Sequence, residues 1–277
     1  MSYRPVSYGP RPWQQTSWDW RAAGNFIFGG AGSGLLLAAA LVLPLGPARS
    51  VALLAGCALV GLGLFSVWLE IGRPLRAIHV FFNPWTSWMT REAFAGTVLL
   101  GVSAAAYFRP GLAAEAALGV SAAVYAWCQG RILMASKGIP AWRAPQVVAL
   151  VMSTALVEGT GLLMLVNPEF LAIGLFTAAV IARAVAWSGY RAGLKQAGSR
   201  AALESAGTAL IQVGTIAPLA LVLGAYFLPQ AAALAGIAAI LAGWWFKFAL
   251  VTRAAFNQGF ALPRLPVRGV RQEREDR

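Results

Sequence analysis

Apolar runs at about 22–43, 51–70, 93–108, 112–134, 145–166, 170–190, 204–228 and 231–253 follow one another through nearly the whole chain. Each is close to the roughly 20 residues that an α-helix needs to cross the hydrocarbon core of a bilayer. Pro44, Gly46 and Pro47 break the first pair of runs, and Arg109-Pro110-Gly111 breaks the third from the fourth. Asn167-Pro168 and Pro229 make two further breaks, all of them turn signals. The fold class expected is therefore an all-α integral membrane protein of about eight transmembrane helices, neighbours packing as antiparallel hairpins. A polar segment over 1–21 and a basic tail over 255–277 flank a transmembrane domain over 22–254.

Composition agrees, with 58% hydrophobic and only 12% charged residues in 277, far from the balance of a soluble domain. No stretch of Met1 to Gln15 reads as a signal peptide, so the first span is expected to serve as the targeting element. The net charge of +12 is spread through short loops rather than gathered on one module, which argues for topology and against nucleic acid. Eighteen Lys and Arg fall on the side of the N-terminus, and only Arg49 and Arg109 on the other. Cytoplasmic loops are enriched in these residues, so both termini are expected to be cytoplasmic and the span number even. The same asymmetry puts the long loops on the cytoplasmic face, where a partner would dock.

Cys57 and Cys128 lie inside apolar runs and His79 is the single histidine. Neither a disulfide framework, nor a bis-histidine haem, nor a metal site of this chain is expected. Gly29-Gly30-Ala31-Gly32-Ser33-Gly34 lacks the strand and the spacing of a nucleotide loop. Gly30 and Gly34 instead form a small-residue face for close helix packing.

Glu158, Arg183 and Lys247 lie at membrane depth, where ionisable groups are costly. They are read either as a structural ion pair, such as Glu158 with Arg183, or as a charge or proton path. A second polar set lies toward the cytoplasmic ends: Asn25, Glu70, Arg76 and His79, joined from the fourth span by Tyr125, Trp127, Gln129 and Arg131. Acid, imidazole, amide and guanidinium at the mouth of an apolar bundle suit a quinone head group, which binds through its carbonyl oxygens and exchanges protons. An interfacial belt of Trp with snorkelling Arg accounts for the same residues without a ligand.

Several motifs carry a resemblance. Trp18-Asp19-Trp20-Arg21 before a glycine-rich span, Gly72-Arg73-Pro74-Leu75-Arg76-Ala77, and Asn83-Pro84 through Thr86-Ser87-Trp88-Met89-Thr90-Arg91-Glu92 are joined by Lys137-Gly138-Ile139-Pro140-Ala141-Trp142. Together they resemble the NrfD/DmsC-type membrane-anchor family of polysulfide and dimethyl sulfoxide reductases. Within it they resemble the membrane subunit of phenylacetyl-CoA:acceptor oxidoreductase-like complexes. The resemblance implies a quinone-reactive anchor with no metal or haem of its own. Its partners would be an iron–sulfur subunit and a molybdopterin (Mo or W) catalytic subunit on the cytoplasmic loops, in a bacterial inner membrane. The dimethyl sulfoxide reductase branch has a histidine where this chain has Glu70. Glu70 thus becomes the candidate proton acceptor beside His79, with Asn25, Arg76, Tyr125 and Arg131 binding the quinone. A secondary transporter built on the intramembrane charges and a purely structural anchor are the alternatives.

Overall fold

A computed structural model describes residues 9–71, 74–225 and 227–260. Eight long helices run through the described residues: α1 (Trp20–Val42), α2 (Pro47–Glu70), α3 (Trp88–Phe108), α4 (Leu112–Ala135), α5 (Gln146–Val166), α6 (Phe170–Gly193), α7 (Ala197–Gly224) and α8 (Gln230–Arg253). No strand occurs among the described residues, and the one isolated backbone bridge joins Gln14 to Phe256. All except α3 and α4 are long and apolar enough to cross a membrane, which gives six candidate spans and marks a multi-pass membrane protein. Helices α3 and α4 match them in length but carry Glu92, Gln129 and Arg131. The proline-bearing breaks bound helices as expected: Pro47 opens α2, and Asn167 caps the end of α5.

One boundary differs with consequence. The third apolar run begins at 93, but α3 begins at Trp88, where the Ser87 hydroxyl accepts the Thr90 amide as an N-cap. Glu92 is thereby moved from a loop onto a helix that faces the bundle. A 3-10 helix (Pro74–Phe82) fills part of the preceding connection, and the Gly72-Arg73 part of the motif there lies outside the described residues.

Helices α1 and α5 form the centre, with α2 and α4 packed on α1 and with α6 and α8 packed on α5. Small residues allow this. A Cβ at Gly34 would fall on the Ala155 carbonyl, and one at Gly159 on the backbone of Gly34, so α1 and α5 touch main chain to main chain. Of the Gly30 and Gly34 face expected from the sequence, Gly34 is the packing surface, whereas Gly30 opens onto the side chains of Lys247 and Gln129.

Three helices contain π-helical turns, Asn25–Gly29 in α1, Gln212–Ile216 in α7 and Ala249–Arg253 in α8. A π-turn shifts the i→i−4 ladder and turns carbonyls toward other partners. In α1 the Asn25 carbonyl accepts from Gln129 Nε2 at 2.9 Å and the Phe26 carbonyl from Lys247 Nζ at 2.8 Å. In α7 the Gly214 carbonyl accepts from Arg183, and in α8 the Leu250 carbonyl accepts from Trp142 Nε1 at 2.8 Å.

The two ends of the described chain meet on one face. Gln15 N donates to the Ala255 carbonyl at 2.9 Å, and Asn257 N to the Trp13 carbonyl at 2.9 Å. Gln258 N reaches the Gly138 carbonyl at 3.1 Å, which ties this clasp to the Lys137–Trp142 connection. The opposite end is sparse in cations, and there Arg49 is buried against Glu115 and the Ala106 carbonyl.

Candidate functional site

Asn25 stands at the first π-turn of α1, with its side chain directed at α3. Its Nδ2 donates to Glu92 Oε1 at 2.8 Å, and both residues are buried. Gln129 of α4 closes the arrangement by donating to the Asn25 carbonyl, so α1, α3 and α4 meet on one polar knot. Tyr125, one turn earlier on α4, is fully buried with its hydroxyl behind Gly29, where a Cβ would come within 2.7 Å of it. Asn25 Oδ1 is a buried acceptor that takes no hydrogen bond among the described residues, and the Tyr125 hydroxyl lies beside the Gln129 amide. Buried polar atoms without partners are unusual and collect where a protein binds something polar or stores strain.

Asn25, Glu70 and Glu92 line one cavity of about 160 Å³, with Trp18, Met89 and Ile132 among its other walls. Trp18 is held there by the termini. The Gln15 side chain accepts from Trp18 N at 2.8 Å and donates to Trp18 O at 3.0 Å, and the indole stacks on Trp142 with ring centroids 4.8 Å apart. Glu70 is the last residue of α2 and is half-buried. Asp19 and Arg21 sit nearby as an ion pair at 2.8 Å, and Arg21 also donates to the Leu69 carbonyl at 3.0 Å. The hydrogen bonds from Arg21 hold the Asp19 carboxyl below the usual carboxylate range.

The remaining members of the expected set lie elsewhere. Arg76 and His79 are exposed on the 3-10 helix, with His79 Nδ1 3.0 Å from the Arg76 carbonyl and its ring edge-on to Phe82. Arg131 stacks over Trp88, 4.4 Å from the ring centroid, and also over Trp127. Arg91 covers Trp88 as well, 4.2 Å from its centroid, while donating to the Pro84 and Trp85 carbonyls. That cluster pins the connection to α3 and sets the direction in which Glu92 points. Glu92 itself was given no role from sequence. Ser87 preceding Thr90 by three residues was the signal that could have extended the helix back to include it.

The intramembrane charges form a second group. Lys247 Nζ lies 2.6 Å from Glu158 Oε2, and both side chains are buried. Arg183 does not hydrogen-bond Glu158 and donates instead to the Ala239 carbonyl at 3.2 Å and to the Gly214 carbonyl. The two groups approach each other at Gly30, where a Cβ would collide with the Lys247 ammonium and lie 3.3 Å from Gln129 Oε1.

No protein-family model matches this chain, and no curated protein matches it.

Proposed function

We propose that this chain is the quinone-reactive membrane subunit of a multisubunit oxidoreductase, passing electrons between a partner iron–sulfur subunit and the quinone pool. The observation that carries the reading is the Asn25–Glu92 hydrogen bond in the wall of a cavity that also takes in Glu70 and Trp18. Reducing a quinone takes two electrons and two protons, so its site needs carboxyls able to deliver protons beside an apolar seat for the ring. Two carboxyls and an indole at one cavity meet that need. A protonated Glu92 donates to a quinone oxygen while Asn25 Nδ2 holds the Glu92 carboxyl in place, and Glu70 is the nearer of the two carboxyls to the surface. The motifs shared with NrfD/DmsC-type anchors support the same reading.

In this reading all eight long helices cross a bacterial inner membrane, with both termini and the arginine-rich loops in the cytoplasm. The face with the terminal clasp carries Arg143, Lys195 and Arg200 and docks the iron–sulfur subunit, which in turn contacts a molybdopterin catalytic subunit. The substrate of the assembly is then cytoplasmic, in keeping with the resemblance to phenylacetyl-CoA:acceptor oxidoreductase-like complexes.

The test is purification from the native membrane in mild detergent, followed by identification of co-eluting chains and assay of iron, molybdenum, tungsten and quinone. An iron–sulfur protein and a molybdopterin subunit co-eluting with quinone are the expected result. A chain that elutes alone, free of quinone, and that carries a solute flux in liposomes overturns the proposal in favour of a transporter.

A further inference from the structure

Beside the acid-bearing cavity lies a second one, of about 300 Å³, between α2, α3 and the 3-10 helix. The two share Val67, Ile71, Met89 and Glu92 as lining, so they adjoin along those four side chains. Their chemistry differs. The second is lined almost wholly by apolar groups, with Leu64 and Trp68 from α2, Phe81 from the 3-10 helix, and Ala93 and Thr97 from α3.

Its surroundings are those of a lipid-facing cleft. Phe65, Leu69, Phe94 and Val98, on the same stretches of α2 and α3, are exposed large apolar side chains on candidate and neighbouring membrane helices. The 3-10 helix roofs the groove, with Phe81 edge-on to Phe94 at 5.1 Å. It turns Leu75 (96% exposed), Ile78 (61%) and Phe82 (68%) outward. Water would penalise such a face, whereas the acyl boundary of a bilayer covers it without cost.

We infer that this groove seats the long apolar tail of the ligand whose head occupies the adjoining cavity, so that the ligand is a polyprenyl quinone drawn sideways from the bilayer. The inference rests on the quinone reading of that cavity. Charge selects the occupant: a phospholipid with its chain in the groove would bring a phosphate into a cavity lined by Glu70 and by no Lys or Arg, whereas a quinone ring is neutral. Size agrees, since cavities of about 160 and 300 Å³ together fall within the roughly 300–1,000 Å³ typical of ligand clefts. Lipid is as apolar as the groove, so the tail gains little affinity by entering it. The groove instead fixes orientation, pointing the ring at Glu92, which lines both cavities.

Because the effect is positional, the test is photolabelling of the intact protein in native membrane vesicles. One decaprenyl ubiquinone probe carries an azide on the ring and a second carries a diazirine in the first isoprene units of the tail. Ring label on 18–26 or 89–92 together with tail label on 64–68 or 93–97, both displaced by unlabelled ubiquinone, is the expected result. Thr97→Trp, which fills the groove, should then lower tail label by about fivefold and spread ring label beyond 89–92. Ring label in the cavity with tail label spread over other helices overturns the tail groove alone and leaves the quinone reading standing. Ring label outside the cavity overturns both.

Discussion

Lys247 Nζ sits 2.6 Å from Glu158 Oε2 and 2.8 Å from the Phe26 carbonyl oxygen, so one ammonium ties α8 to α5 and to the π-turn of α1. The π-turn presents that carbonyl, and Gly30, lacking a Cβ, leaves the ammonium room to reach it. The pair therefore belongs to the architecture that holds Asn25 at its cavity, one residue before Phe26.

Removing the cation strands the Glu158 carboxyl in a fully buried setting. Lys247→Met is expected to cost about 3–5 kcal/mol, the penalty for breaking a buried pair from one side. Thermal unfolding in detergent should show a clear fall in melting temperature, most of it recovered in the double variant Lys247→Met/Glu158→Gln. A single variant that melts like the parent would show that the pair contributes nothing to stability.

The contact between α1 and α5 leads to a sharper contrast between glycines. Gly34→Val drives side-chain atoms into the Ala155 carbonyl, and a backbone group cannot rotate aside as a side chain can. The loss should exceed the ~1–3 kcal/mol of ordinary overpacking. Gly101→Val, whose Cβ meets open space, is the matched control and should melt nearly unchanged. Equal behaviour of the two would mean that α1 and α5 tolerate separation.

Sequence made part of this visible and hid the rest for physical reasons. Helix ends announced themselves at Pro47, at Arg109-Pro110-Gly111, at Asn167-Pro168 and at Pro229, because such clusters act on local backbone geometry. Asn25, Tyr125 and Gln129 could be placed at one depth because helical rise converts sequence position into depth. Glu92 was hidden because Trp-Met-Thr-Arg-Glu is polar and aromatic enough to read as a loop, and the Ser87 cap outweighed that composition. Pairing was not legible. Lys247 rather than Arg183 meets Glu158 because of which faces of α5, α6 and α8 converge, and spacing along one chain does not encode that. The π-turns carry no residue signature, yet they decide which carbonyls Lys247, Arg183 and Trp142 can reach.

Arg183 bridges the Gly214 carbonyl in α7 and the Ala239 carbonyl in α8, a span that suits a planar fork with several donors. In Arg183→Met the Gly214 carbonyl, whose i+4 residue Pro218 has no N–H, loses that donor at an expected cost of about 1–3 kcal/mol, while the Ala239 carbonyl stays within the ladder of α8. Arg183→Lys, with a single compact ammonium, should recover only part of it. Hydrogen exchange is the appropriate readout. Amides over Gln212–Ile216 should exchange faster in both variants while those of α5 stay protected. Uniform loss of protection across the bundle would argue that Arg183 supports the whole fold rather than this one junction.

The two carboxyls at the cavity make the functional prediction. Gln at position 92 still offers a carbonyl oxygen to Asn25 Nδ2, so Glu92→Gln should preserve the knot that joins α1 to α3, and the protein should assemble and melt normally. What it loses is the exchangeable proton. If Glu92 delivers protons to the quinone, quinone-linked turnover in native membranes should fall about 10²–10⁴-fold, the usual weight of a positioned acid or base. Glu70→Gln tests the other wall. Half-exposed at the end of α2, Glu70 can be replaced by water as a proton donor, so its loss should be the smaller. Glu92→Ala separates chemistry from structure, since it also strips Asn25 of its acceptor and should lower the melting temperature as well as the rate. Full turnover in a well-assembled Glu92→Gln protein would remove Glu92 from proton delivery, and loss of rate in Glu70→Gln alone would assign that role to Glu70.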